Sequence, residues 1–77
     1  MAEKLIISIS ASADSFGAYA ENCKGIYAAG DTVKEVKENV EEAIRLYKEV
    51  TPEDEWEKPI AESWPIEWRY DLSLIHI

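Results

Sequence analysis

Cysteine and histidine carry most side-chain chemistry near neutral pH, and this chain of 77 residues has one of each, Cys23 and His76. A thiol nucleophile needs a base beside it. Nothing near Cys23 in the sequence supplies one, and His76 stands next to the C-terminus. A single cysteine also excludes an intrachain disulfide and a four-cysteine zinc site. No glycine-rich phosphate loop is present. Carboxylates are plentiful, 16 in all. A paired-acid site drawing on Asp14 or Asp31 is therefore conceivable, but scattered surface acids explain them more simply. The sequence reads as non-enzymatic: no catalytic residue, no cofactor site and no metal site is expected.

Recognition is the more natural chemistry. Eight basic residues against 16 acidic ones give a net charge of −8. Nucleic acid is a polyanion whose binding requires lysine and arginine, so this segment is not expected to bind it. A basic protein partner suits the charge, because complementary fields speed encounter; the plainer reading is that the charge keeps a small protein dissolved. The densest acidic run, Glu53-Asp54-Glu55-Trp56-Glu57, encloses a tryptophan. It reads either as an exposed aromatic in an acidic frame or as an anchor folded back on the core edge. Glu53, Asp54, Glu55, Trp56, Trp64 and Trp68 are the candidate partner-interface residues. No apolar run reaches the roughly 20 residues of a membrane span. The N-terminus lacks a signal-peptide pattern, so a cytoplasmic protein with a reduced Cys23 and no membrane contact is expected.

The elements that position these residues follow from periodicity. Residues 4–10 alternate, with Leu5, Ile7 and Ile9 on one face, as a half-buried strand does. Residues 16–21 and 26–29 read as two further strands. The connections are short enough that only antiparallel neighbours fit, which makes the three a meander. Gly30 then permits a bend. Thr32 and Glu35 match a capping box in which the Glu35 carboxylate reaches back to the amide of Thr32, and Asp31 suits the helix N-terminus by its charge. Gly30, Asp31, Thr32 and Glu35 are thus the structural helix start. Val33, Val36, Val40, Ala43, Ile44, Tyr47 and Val50 form one apolar stripe on a helix over residues 32–50, which Thr51-Pro52 ends. Residues 51–63 read as an acidic loop. Residues 64–72 read as a fourth strand, whose Pro65 lacks a ladder donor and makes it begin at an edge or irregularly. Its aromatics either pair with a second chain or complete the core under the helix. The tail, residues 73–77, is apolar and either extends this strand or begins another element. The fold class expected is α+β, a β-β-β-α-β chain in two layers, with residues 1–77 as a single domain.

A chain this short buries only about 60% of its unfolded surface. With no disulfide or evident metal to staple it, oligomerisation is the remaining common aid. A homodimer is the default expectation.

The order of strands, the passage from Gly25 to Gly30-Asp31-Thr32, and Glu42-Ala43-Ile44-Arg45-Leu46-Tyr47 near the end of the helix together resemble the HicB-type antitoxin domain of type II toxin–antitoxin systems. Leu5 to Ile9 and Gly17-Ala18-Tyr19 match that family's first two strands, so the likeness covers about residues 3–50. Where the family has a proline-rich lead into its glycine turn, this chain has Glu21-Asn22-Cys23-Lys24. The resemblance implies a partial RNase H-type core without the catalytic acids. It implies binding and neutralisation of a small basic RNA-cleaving toxin of HicA type. Many relatives also carry a DNA-binding module; none is read within these residues, so autoregulation is not carried over. The alternative is a stand-alone domain for a small ligand or for assembly.

Overall fold

The computed structural model describes residues 3–71. It shows an α+β chain in which three strands, β1 (Leu5–Ala11), β2 (Phe16–Ala20) and β3 (Tyr27–Gly30), precede the helix α1 (Val33–Val50). After α1 come a 3₁₀ turn (Glu53–Glu55), a one-turn helix α2 (Lys58–Ala61) and the strand β4 (Ile66–Asp71). The sheet runs β3-β2-β1-β4. The first three strands form the antiparallel meander, while β4 lies parallel to β1. A parallel neighbour requires a crossover rather than a hairpin. At 18 residues α1 is about 27 Å long, enough to carry the chain from the β3 edge across the sheet to the β4 edge.

Alternation decides which side of the sheet meets the helix. Leu5, Ile7 and Ile9 are buried, and opposite them the register sets Ala20 against Ile7, Ala18 against Ile9 and Phe16 against Ala11. Small residues on β2 leave room for the helix to approach over bulky residues on β1. Val36 and Val40 of α1 are completely buried there, with Val33, Ala43, Ile44 and Tyr47 packed around the same core. Val50, the last residue of the expected stripe, is 70% exposed: the helix has run past the sheet by then.

The helix start forms largely as expected. Thr32 is the N-cap, and its Oγ accepts from the Glu35 amide at 3.1 Å. The reciprocal bond differs from expectation: the Glu35 carboxylate accepts from the amide of Asp31, not of Thr32, at 2.9 Å. The N-cap's extended backbone swings the preceding amide toward the helix end. Gly30 must be glycine for space: a Cβ there would lie 2.9 Å from the Glu35 Cβ and 3.1 Å from the Val36 amide.

The region expected as a plain loop, residues 51–63, is instead structured by its 3₁₀ turn and α2. Pro59 lies in the first turn of α2, where no amide is needed. This turn delivers Ile60 to the core, where it is 3% exposed beside Leu5 and Val40. A single buried isoleucine carries no periodicity, so pattern reading had nothing to detect. Strand β4 starts at Ile66, leaving Trp64 and Pro65 in the approach to it. The expected strand end at Leu72, the tail 73–77 and His76 lie outside the described residues.

Candidate functional site

The six candidate interface residues come from two structural settings. Glu53, Asp54 and Glu55 form the exposed 3₁₀ turn that follows Pro52. Among the described residues none of the three enters an ion pair; the paired acids are Glu21, Glu42 and Glu67. Their charge is therefore directed at solvent. The tryptophans are all half-buried and tethered. Trp56 donates its indole N–H to the Thr51 carbonyl at 2.8 Å, and Lys48 Nζ lies 5.8 Å from its ring centre. Trp64 donates to the Glu62 carboxylate at 3.0 Å. Trp68, on β4, faces the helix side in register with Ile7, and Lys37 Nζ lies 5.2 Å from its ring centre and 5.4 Å from that of Tyr70.

Lys37, Ile44 and Lys48 occupy one stripe of α1, at i, i+7 and i+11. The indoles are therefore ranged along one flank of the helix rather than gathered in one pocket. Of the two readings open for Trp56, the structure gives the fold-back onto the core edge, and it packs Trp68 against the core as well. What projects from this region is the acidic turn.

Beside Trp64 lies an apolar cleft of about 210 Å³, walled by Leu5, Ile44, Ile60 and Ile66 with Lys48 on its lining. On the opposite flank of α1 a wider groove of about 390 Å³ runs between the start of β3 and the end of the helix. Tyr27, Leu46 and Val50 line it and are 71%, 55% and 70% exposed. Thr51, two residues before the acidic turn, closes its end, so this apolar patch and the acidic turn adjoin. The patch was not among the sequence candidates. Its one sequence signal is Leu46, an apolar residue off the helix stripe among charged neighbours.

Two polar residues that sequence reading did not single out hold the turn before β3 in place. Asn22 clasps the start of β1, accepting from the Ile6 amide at 3.0 Å and donating to the Lys4 carbonyl at 2.9 Å. By sequence Glu57 is one more member of the acidic run. Its carboxylate accepts from the Lys24 amide at 2.8 Å, while its own amide donates to the Tyr47 hydroxyl at 2.9 Å. This ties the chain after α1 to the turn that carries Cys23. Cys23 itself is 3% exposed. Burial, and next the nearby Glu57 charge, push its thiol above the ordinary value of 9.0, against a hydrogen bond with Tyr47 that acts the other way. It is held as a protonated, apolar-like core residue. Gly25, two residues on, takes φ +91°, a conformation that favours glycine.

Asp14 and Asp31 are both exposed, and Asp31 stands beside the helix cap already described. Among the described residues no group of three or more histidine, cysteine or acidic side chains converges as metal ligands would, and no helix is long and apolar enough to cross a membrane. No protein-family model, no curated protein and no solved structure matches the chain.

Proposed function

We propose that this protein is a non-catalytic, antitoxin-like module of HicB type that binds and masks a small basic RNA-cleaving toxin of HicA type, and that it works as a homodimer in the cytoplasm. The observation that carries the reading is the exposed acidic turn, Glu53–Glu55, free of ion pairs among the described residues and adjoining the apolar groove of Tyr27, Leu46 and Val50. A patch of exposed apolar residues rimmed by charge is the usual composition of a protein-binding surface. Here the sign of the rim suits a cationic partner. The helix start at Gly30-Asp31-Thr32 and the β-β-β-α-β order, which carry the family resemblance, support it further.

The test is titration calorimetry against a HicA-type toxin encoded beside this gene. Binding that weakens with salt and with E53K/D54K/E55K is expected, since three lost attractions become repulsions. Absence of binding to any HicA-type protein overturns the reading.

A second reading, a domain for a small ligand, rests on the cleft beside Trp64. Its apolar walls and the Lys48 ammonium suit an aliphatic carboxylate. At about 210 Å³ it lies below the roughly 300–1,000 Å³ of ordinary ligand sites, which ranks this reading second. Quenching or enhancement of tryptophan fluorescence by hexanoate, lost in Trp64→Phe, is its expected signature.

A further inference from the structure

Strand β4 leaves the sheet with an open edge, because only β1 lies beside it among the described residues. The geometry points to that edge as the seam of a symmetric dimer, with β4 pairing antiparallel to β4 of a second copy about a two-fold axis at Trp68. This rests on the homodimer part of the proposed function and is independent of the toxin.

The backbone defines which residues are available. The Leu5 amide donates to the Pro65 carbonyl at 2.9 Å, and Leu5 stands in register with Ile66. In a parallel ladder alternate residues of a strand bond to the same neighbour. Pro65, Glu67 and Arg69 therefore turn their backbone groups toward β1, and Ile66, Trp68 and Tyr70 turn theirs to the open edge. Pro65, the one residue of this stretch without an amide, sits on the inner side and costs the outer edge no donor.

Side chains then select the register. Glu67 and Arg69 share the face away from the helix, since Ile66, Trp68 and Tyr70 align with the core-facing Leu5, Ile7 and Ile9. With the axis at Trp68, Glu67 of each copy lies opposite Arg69 of the other. These are the non-hydrogen-bonded pairs, whose side chains approach most closely. Trp68 meets its own counterpart, and Ile66 meets Tyr70. Moving the axis to Glu67 or to Arg69 puts like charges opposite each other at the centre, which is unfavourable. Of the three registers centred on residues 67–69, this one is electrostatically matched, and it continues the apolar face across the seam. An open edge carrying half-buried aromatics otherwise invites indiscriminate pairing; this pattern makes the edge choose one partner and one register.

The test exploits the symmetry. E67R sets the new arginine of each copy opposite Arg69 of the other, and R69E sets the new glutamate of each copy opposite Glu67 of the other. Each homodimer is expected to weaken on the order of tenfold or more in sedimentation equilibrium. In an equimolar mixture of E67R and R69E the heterodimer sets the two arginines of one chain opposite the two glutamates of the other, so mixing is expected to restore dimerisation as a heterodimer. The charge reversal E67R/R69E likewise sets an arginine opposite a glutamate at both places. It is expected to dimerise with wild-type-like affinity; because it also restores the pair that Glu67 and Arg69 make within one chain, recovery in the mixture is the result that a merely structural loss does not produce. If a single variant loses its helical circular dichroism, E67Q and R69Q replace it, each expected to weaken the dimer less than the reversal of charge. A wild-type chain monomeric at about 100 μM overturns both the homodimer and the seam; that range lies well above the micromolar affinities of weak but specific complexes. A wild-type dimer that both single variants leave undisturbed, or a mixture or a double reversal that fails to recover, overturns the seam and leaves a homodimer through another surface.

Discussion

Strands β1 and β4 are parallel neighbours with the same alternation of apolar and polar residues, yet they meet very different environments. Ile7 and Ile9 are completely buried, whereas their partners in register, Trp68 and Tyr70, are half-buried and 47% exposed. The cause is position in the sheet. Strand β1 has a strand on either side and the helix above it, so its apolar face is closed all round. Strand β4 has β1 on one side, an open edge on the other, and only the flank of α1 above it. Lys37 lies over both β4 rings there, where β1 has Val36 and Val40. An alternating pattern tells which face of a strand turns inward; the neighbours decide how dry that face becomes.

The largest expected effect tests this directly. Ile7→Ala should cost about 3–4 kcal/mol in urea unfolding, near the upper part of the range for a closed apolar site. Trp68→Ala removes a bigger side chain but should cost only about 2 kcal/mol at concentrations where the chain is monomeric, because much of the ring is already in water. A larger loss for Trp68 than for Ile7 under those conditions would break the comparison. Thr32→Ala should cost about 1 kcal/mol by removing the helix cap. Since the cap positions the roof over both strands, it should leave the difference between the Ile7 and Trp68 variants unchanged in a double-mutant cycle. Lys37→Met should cost about 0.5 kcal/mol or less, in line with an exposed cation over aromatic rings, and should have no counterpart among contacts above β1.

Titration sharpens the same contrast with the least effect. The folded Cys23 thiol in the inner layer holds its proton more tightly than the unfolded one. Its contribution is fully present below pH about 9 and falls as pH rises through the raised value. Cys23→Ala should flatten that alkaline loss in thermal melts. Beside β4 the sign is opposite. The Arg69 guanidinium, chiefly by its hydrogen bond, holds the Glu67 carboxyl below its ordinary 4.5. That contribution is present above pH about 4.5 and fades as pH falls through the lowered value. Alkaline sensitivity thus belongs to the interior and acid sensitivity to the edge.

Much of this was legible in the residues. The strands around Leu5, Phe16 and Tyr27, the helix from its Thr32 cap to Val50, and β4 all follow from period and punctuation, because each pattern is local and repeats over several residues. The acidic turn was legible as an interface candidate by its composition alone. The exposed patch of Tyr27, Leu46 and Val50 was not, since whether an apolar residue is covered depends on where the helix leaves the sheet. Nor were Ile60 and Glu57: one buried side chain and one carboxylate bonded across the fold leave no periodic trace.

Which segments are strands or helix, which face of each is apolar, and the sign of the charge could be read from the residues alone, because these depend on neighbours a few residues away. The folded arrangement alone sets β4 parallel to β1 with one edge open among the described residues. It also decided that the tryptophans line one flank of α1, and that the Cys23 thiol is shut inside. Those outcomes depend on a crossover that brings residues 66–71 back beside residues 5–10, a contact between distant parts of the chain that no local pattern encodes.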